Sequence, residues 1–119
     1  MKPTEHKIRV LIADDHTTVL AGLASIIGMQ PDMVVVAEAA NGRQAVELWL
    51  KHRPEITLLD IRMPILDGVA VVNEIRQQEA AARGDFEAFV GDLVVIGVGD
   101  EGQADFRIPE ALAVFAIQH

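Results

Sequence analysis

The clearest structural signal in the chain is the stretch Leu58-Leu59-Asp60-Ile61-Arg62-Met63-Pro64-Ile65-Leu66-Asp67-Gly68. Its first residues predict the end of a buried strand, which stops at Met63-Pro64 because proline restricts the residue before it and has no amide hydrogen to donate. Asp67-Gly68 indicates a turn, and apolar residues at helical spacing follow it. Asp60 is therefore predicted at the carboxyl end of a strand, the edge at which open α/β sheets bind ligands. A solvated or helix-capping aspartate would fit the same pattern.

The composition indicates one soluble domain covering residues 1–119. Half of the residues are hydrophobic, which is enough for a core, and the absence of cysteine excludes a disulfide scaffold and thiolate chemistry. The sequence has no apolar run of membrane-spanning length and no signal-peptide core, so we expect a cytoplasmic protein without a membrane partner. The formal net charge of −8 disfavours direct binding to nucleic acid, because Lys and Arg supply most of that affinity.

Strands and helices alternate in the first half of the chain. Short apolar runs predict strands over Ile8–Ala13, Met33–Ala37 and Ile56–Leu59. Between them, apolar residues at helical spacing predict one helix that ends at Gly28 and a second that ends before Pro54. This alternation favours βαβ units and a parallel α/β sheet.

Acidic residues follow two of these strands. Asp14 and Asp15 come directly after the first strand, and Asp60 follows the apolar part of the third. If these strands are neighbours, the three carboxylates converge at one edge of the sheet, where they repel each other unless a cation offsets them. Oxygen ligands of this kind suit Mg²⁺ rather than Zn²⁺, and one carboxylate would be left to attack a phosphoryl group. The alternative for Asp14 and Asp15 is negative charge at a helix N-terminus.

With the Asp-Asp-His sequence that starts at Asp14 and the Asp-Ile-Arg-Met-Pro loop that starts at Asp60, residues 7–78 resemble a bacterial two-component response-regulator receiver domain of the NarL/FixJ/LuxR type. The resemblance implies a flavodoxin-like (βα)₅ fold, a doubly wound parallel sheet of order 2-1-3-4-5. It casts Asp60 as the phosphoryl acceptor, a sensor histidine kinase as the donor and Mg²⁺ as the cofactor. The implied metal ligands are Asp15, Asp60 and the backbone carbonyl of Arg62, with Asp14 bound through water. Asp14 and Asp15 form the acidic pair of the implied catalytic site.

The histidine after the acidic pair, His16, has two interpretations. It is either a loop residue typical of this subfamily or a catalytic base. We favour the loop residue, because a carboxylate nucleophile is already ionised and needs no base.

Residues 79–119 depart from the receiver pattern. Receivers of this kind end strand four with a Ser or Thr and strand five with a Lys, and both side chains contact the phosphoryl group. The apolar run Leu93–Val98 predicts a further buried strand. Aligning its first four residues, 93–96, on strand four places Gly97 at the hydroxyl position and His119 near the Lys position, and no Ser, Thr or Lys follows Thr57. The last helix is expected to be missing or altered. We therefore predict a receiver that accepts phosphate but responds weakly, because those bonds normally distinguish the phosphorylated state.

Three functions are compatible with these features. The first is a phosphoacceptor signalling domain, whose own chemistry is autocatalytic phosphoryl transfer to Asp60 and hydrolysis of the product. The second is a non-switching pseudo-receiver that acts as a protein-interaction module. The third, a Mg²⁺-dependent phosphotransferase or phosphatase for small molecules, is the least supported because the chain has no Gly-rich phosphate loop.

The expected partners follow from the first two functions. Transcription regulation and DNA binding would belong to an output domain outside this sequence. A homodimer is a further expectation, since it would cover the flank of the sheet that a missing fifth helix exposes. A diverged receiver, a truncated or frame-disrupted gene and an engineered tail would each produce the unusual C-terminal third.

Overall fold

An α/β sheet with helices on both faces forms the described part of the chain. The structure is a computed structural model, and it describes residues 7–78, 85–90 and 93–98. In these residues the sheet has the strand order β2-β1-β3-β5-β4. The elements are β1 (Ile8–Ala13), α1 (Thr17–Gly28), β2 (Met33–Ala39), α2 (Gly42–His52), β3 (Ile56–Asp60), α3 (Gly68–Gln78), β4 (Asp85–Val90) and β5 (Leu93–Val98). None of the helices so described combines the length and apolarity needed to cross a bilayer.

The core consists of two hydrophobic layers, one on each face of the sheet, because neighbouring residues of a strand point to opposite sides. In β1, Val10 and Ile12 belong to the layer that contains Leu23 of α1. Leu11 and Ala13 belong to the opposite layer, which contains residues of α2 and α3 such as Trp49. Because both faces of β1 are covered, its residues are mostly apolar, as expected for a central parallel strand.

The first three strands confirm the predicted arrangement. β1 pairs in parallel with β2 on one side and with β3 on the other, and Ala13 lies opposite both Ala39 and Leu59. The order 2-1-3 and the alternation of strands with helices are therefore as predicted. Since β1 and β3 are direct neighbours with the same orientation, the residues that follow them meet at one edge of the sheet.

Side chains around Asn41 fix the start of α2. The Asn41 side chain accepts a hydrogen bond from the amide of Gln44 at 2.9 Å, and the Gln44 side chain accepts one from the amide of Ala40 at 2.8 Å. The first of these bonds satisfies the Gln44 amide, which a helix leaves without a partner in its first turn, and the second ties the amide of Ala40, just before the cap, to the helix. The helix therefore begins at Gly42, directly after its capping residue Asn41.

The last two strands differ from the predicted order 2-1-3-4-5. The predicted strand Leu93–Val98 exists and lies next to β3, but it runs antiparallel to β3, and β4 lies outside it. The connection length explains the difference. Only two residues separate Val90 from Leu93, and such a short connection joins antiparallel strands, whereas a parallel crossover needs a dozen residues or more.

Two predictions concern residues outside those that the structure describes. These are the missing or altered last helix and the position of His119 near that of the receiver Lys. Gly97, which the sequence alignment placed at the hydroxyl position of a receiver, lies opposite Ile56, at the amino end of β3. That placement of Gly97 is wrong, because an antiparallel β5 reverses which of its ends lies beside Asp60.

Candidate metal centre

The carboxyl ends of β1 and β3 bring the acidic residues together. Asp14 directly follows β1, where its amide donates a hydrogen bond to the carbonyl of Ala39 at 3.0 Å. Asp60 is the last residue of β3. Both residues are buried, with 4% and 8% of their surface exposed, whereas Asp15 points towards solvent. The site therefore has a buried floor and one accessible carboxylate at its rim.

Four side chains form one cluster at this edge. Asp14, Asp15, His16 and Asp60 each offer one ligand atom, and these atoms all lie within 4.8 Å of one another. The structure thus brings together the three aspartates that the sequence analysis singled out. Their roles as ligands and nucleophile stay predictions.

His16 contacts both aspartates that precede it in the sequence. Its Nδ1 atom is 3.0 Å from Oδ1 of Asp14 and 3.1 Å from Oδ1 of Asp15. Its backbone amide also donates a hydrogen bond to Oδ1 of Asp14 at 2.8 Å. The hydrogen bond with Asp14, together with the negative charge of Asp15, raises the pKa of His16 above its usual 6.5. The adjacency of Asp14, Asp15 and His16 in the sequence was the available signal for this contact.

Asp60 is a buried carboxylate with little compensation for its charge. Burial raises the pKa of Asp60 above the usual 3.8, and the nearby negative charges of Asp14 and Asp15 raise it further. The backbone amide of Arg62 opposes this effect by donating a hydrogen bond to Oδ1 of Asp60 at 3.1 Å. A carboxyl group with a pKa shifted by burial and by like charges is a common feature of functional sites.

The loop between β3 and α3 is anchored at both of its ends. The amide of Gly68 donates a hydrogen bond to the carbonyl of Ile61 at 3.0 Å, which closes the loop at its base. The Asp67 side chain accepts a hydrogen bond from the amide of Ala70 at 2.9 Å and so caps α3. The predicted turn at Asp67-Gly68 is instead the start of α3, with Asp67 as the capping residue and Gly68 as the first helical residue. Arg62 lies in a loop of defined geometry two residues after Asp60.

The donor set fits a hard divalent cation. Carboxylate oxygens from Asp14, Asp15 and Asp60 are the ligands that Mg²⁺ prefers, and a cation would offset the repulsion that raises the pKa of Asp60. His16 occupies part of the same cluster from the solvent side, with 68% of its side chain exposed. An exposed side chain can move away at small cost, so it does not prevent a cation from reaching the carboxylates.

Fold and site together define the class of this protein: an α/β domain with a doubly wound sheet and an acidic edge suited to a divalent cation. The sequence model of the response regulator receiver domain matches residues 10–83. This chain therefore belongs to the response regulator receiver domain family.

Curated relatives include enzymes and transcription regulators. The chain is 37% identical over 109 residues to a protein-glutamate methylesterase/protein-glutamine glutaminase of Alkalilimnicola ehrlichii, covering 90% of this chain and 28% of that protein. It is 39% identical over 74 residues to the transcriptional regulatory protein DegU of Brevibacillus brevis, covering 62% of this chain and 31% of DegU. It is 36% identical over 74 residues to the nitrate/nitrite response regulator NarL of Escherichia coli strain K12, covering 62% of this chain and 34% of NarL. The chain thus spans about a third or less of the length of these relatives.

Solved structures share the fold of the first two-thirds. The receiver domain of the response regulator NarL from Mycobacterium tuberculosis is 38% identical with a TM-score of 0.61, over 62% of this chain and 60% of that one. A LuxR-family response regulator from Aurantimonas is 35% identical with a TM-score of 0.60, over 65% of this chain and 55% of that one. These neighbours confirm the flavodoxin-like class predicted from the sequence.

Proposed function

We propose that this chain is a phosphoacceptor domain in which Asp60 receives a phosphoryl group from the phosphohistidine of a sensor histidine kinase. The observation that carries the proposal is the cluster of Asp14, Asp15 and Asp60 at the edge formed by β1 and β3. Membership of the receiver family supports the same assignment. In the proposed site, Asp15, Asp60 and the backbone carbonyl of Arg62 hold Mg²⁺ directly, and Asp14 holds it through water.

The surroundings of Asp60 suit it to act as the nucleophile. The amide of Arg62 holds Oδ1 and so fixes the rotation of the carboxylate. We assign the attack to Oδ2, which forms the new P–O bond as the P–N bond of the phosphohistidine breaks and its electron pair returns to the imidazole. When bound, Mg²⁺ would neutralise part of the negative charge on the carboxylates and the phosphoryl group.

His16 has no step in this proposal. A carboxylate attacks without losing a proton, so the transfer needs no general base. The hydrogen bond from the His16 amide to Asp14 supports a different role, in which the residue orients the Asp14 carboxylate. This role agrees with the interpretation of His16 as a loop residue.

We further propose that residues 1–119 form a single domain that works in the cytoplasm and signals to an output domain elsewhere in a longer protein. The proposal is supported by DegU and NarL, which are regulatory proteins about three times the length of the matched segment. The net charge of −8 argues that DNA contacts, if the whole protein makes them, come from another domain. We also propose a homodimer, because it would cover the flank of the sheet that a missing fifth helix exposes.

A non-switching pseudo-receiver is the second candidate function. It is supported by two observations, the absence of Ser, Thr and Lys after Thr57 and the antiparallel direction of β5. No hydroxyl or ammonium side chain from the second half of the chain can therefore bind the phosphoryl group. A module of this kind would keep the fold and bind a partner through its surface, whether or not Asp60 is phosphorylated.

The test is incubation with acetyl phosphate and Mg²⁺, followed by intact-mass measurement and peptide mapping. We expect a mass increase of one phosphoryl group on Asp60, which is lost in Asp60→Asn and retained in Asp32→Asn. Asp32 is the control because it is an exposed aspartate outside the cluster. The phosphoacceptor proposal is wrong if the wild type gains no mass at millimolar Mg²⁺, or if Asp60→Asn is labelled as efficiently as the wild type.

A further inference from the structure

The first turn of α2 lies directly against the loop between β3 and α3. Gly42 is buried, and a Cβ atom built on it would overlap the carbonyl oxygen of Leu66 and lie 2.6 Å from its carbonyl carbon. The third overlapping atom is Cβ of Leu66, at 2.5 Å, and neither the backbone atoms nor a Cβ atom can be moved by side-chain rotation. A residue larger than glycine at this position would have to move the loop.

Conformational freedom does not explain the glycine. The φ angle of Gly42 lies outside the left-handed region, so an ordinary residue could adopt its backbone conformation. In a helix alanine is more favourable than glycine by about 1 kcal/mol, so helix propensity gives no reason for glycine either. What Gly42 contributes is the absence of a side chain where two backbones meet.

Next to this contact the loop has a strained conformation. Ile65 has a φ of 72°, and the amide of Leu66 donates a hydrogen bond to the carbonyl of Pro64 at 2.7 Å. This is a γ-turn with positive φ, which is rare and costly for a β-branched residue. Because 74% of Ile65 is exposed, burial of its own side chain does not hold it there. The surrounding contacts must therefore maintain the turn.

The other side of the loop packs against the end of β3. A Cβ atom on Gly68 would lie 2.8 Å from the carbonyl oxygen of Asp60 and 3.1 Å from Cα of Ile61. The loop is thus held between α2 at Leu66 and β3 at Gly68. Arg62, whose amide binds the Asp60 side chain, lies in the same loop between Asp60 and Leu66.

We propose that Gly42 is a positioning residue for the cation site: its missing side chain lets α2 support the Leu66 carbonyl, which holds the loop so that Arg62 and Asp60 have the geometry the cation requires. The inference rests on the proposed function for its effect on Mg²⁺, but its structural part does not. We expect a displacement at Leu66 to reach Arg62 and Asp60, because the hydrogen bond from the Gly68 amide to the Ile61 carbonyl ties the other end of the loop to the end of β3.

The test compares Gly42→Ala with Gly28→Ala. Gly28 is the matched control because it is also a helical glycine, and a Cβ atom there would meet nothing within 4 Å. We expect Gly42→Ala to shift the backbone amide resonances of residues 61–68 in metal-free protein and to weaken Mg²⁺ binding about tenfold or more, as is usual when the support of a metal ligand is lost. Gly28→Ala should leave both unchanged.

The two readouts separate the inference from the proposed function. Loop resonances that shift no more in Gly42→Ala than in Gly28→Ala overturn the inference, as does a Mg²⁺ dissociation constant within twofold of the wild type. If the wild type itself binds no Mg²⁺, the proposed function fails while the loop resonances still decide the positioning role. If Gly42→Ala does not fold, Ile65→Gly is compared with the double variant Ile65→Gly/Gly42→Ala. In the double variant the relaxed turn can move away from the added methyl group. The loop resonances and the Mg²⁺ dissociation constant are then judged by the same criteria.

Discussion

Gly97 lies opposite Ile56 in the antiparallel ladder between β3 and β5. Asp60 is at the other end of β3, four residues away, which is about 13 Å at the rise of a strand. A hydroxyl group introduced at position 97 therefore cannot reach a phosphoryl group on Asp60. We expect Gly97→Ser to leave the lifetime of phosphorylated Asp60 unchanged, as measured by the loss of mass label with time. A lifetime changed several-fold would show that β5 runs parallel to β3, as it does in the order 2-1-3-4-5.

Phosphorylation of Asp60 should change little beyond the site itself. The side chains that would distinguish the phosphorylated state are absent after Thr57, so the two states differ by few contacts. Each missing charge-assisted or hydroxyl bond removes about 1–3 kcal/mol of the coupling. We expect beryllofluoride with Mg²⁺ to shift backbone amide resonances near Asp14, Asp15 and Asp60, including that of Leu93, which pairs with Asp60. The resonances at the far ends of β4 and β5, residues 85–87 and 96–98, should stay unchanged. Shifts of similar size across β4 and β5 would contradict the prediction of a weak response.

Removing the charge of Asp60 should stabilise the metal-free protein at neutral pH. Burial raises the pKa of Asp60, so the folded chain holds this proton more tightly than the unfolded chain. The free energy of unfolding therefore falls as the pH rises from the unfolded-state pKa of about 3.8 through the raised folded-state pKa. We expect Asp60→Asn to be more stable than the wild type in urea unfolding with EDTA at pH 7, and the difference to shrink below about pH 4. A variant less stable than the wild type at pH 7 would argue that the carboxylate is well compensated.

The contacts of His16 should be visible in its titration. The hydrogen bond with Asp14 and the charge of Asp15 raise the pKa of His16 above 6.5. Because the folded-state pKa is the higher one, these contacts stabilise the fold below the unfolded-state pKa, and the contribution is lost as the pH rises through the folded-state value. We expect the NMR titration of His16 in metal-free protein to move to lower pH in Asp14→Asn. The exposed Asp32→Asn is the control, and an equal shift in both variants would exclude a specific contact.

Relaxing the γ-turn should stabilise the protein without removing a buried group. A left-handed conformation costs about 1–2 kcal/mol for an ordinary residue, whereas glycine adopts it freely but has about 0.5–1 kcal/mol more unfolded-state entropy to lose. We expect Ile65→Gly to raise the free energy of unfolding by up to about 1 kcal/mol, since Ile65 is largely exposed. Ile65→Ala keeps a Cβ atom and should give a smaller gain. Equal effects of the two variants in urea unfolding would show that the backbone strain is not the cause.

The sequence predicted β1, the helices α1 and α2 and the position of Asp60 because these depend on local apolar patterns. Ile8–Ala13 is a strand at the predicted bounds, since its apolar run is flanked by charged residues. The apolar run Leu93–Val98 predicted a buried strand equally well, but apolar residues carry no information about strand direction. The short connection between Val90 and Leu93 is the feature that sets the direction. Alignment to the receiver pattern assumes a parallel strand and so ignores this connection.

The details of the site that were missed depend on contacts distant in sequence or on side-chain geometry. Periodicity does not reveal that Gly42 and Leu66 meet, because 24 positions separate them and the contact is between backbones. The ion pairs of His16 were available from adjacency alone, yet adjacency does not show which way a side chain turns. The convergence of Asp14, Asp15 and Asp60 could be predicted because parallel neighbouring strands end at the same edge.

The most direct test of the account is calorimetric titration of the protein with Mg²⁺, since every assignment depends on one cation shared by the ends of β1 and β3. We expect one Mg²⁺ per chain, and we expect binding to be lost in both Asp15→Asn and Asp60→Asn while Asp32→Asn binds as the wild type does. Binding that survives Asp60→Asn, or a wild type that takes up no Mg²⁺ at millimolar concentration, would show that the two loops do not share an ion.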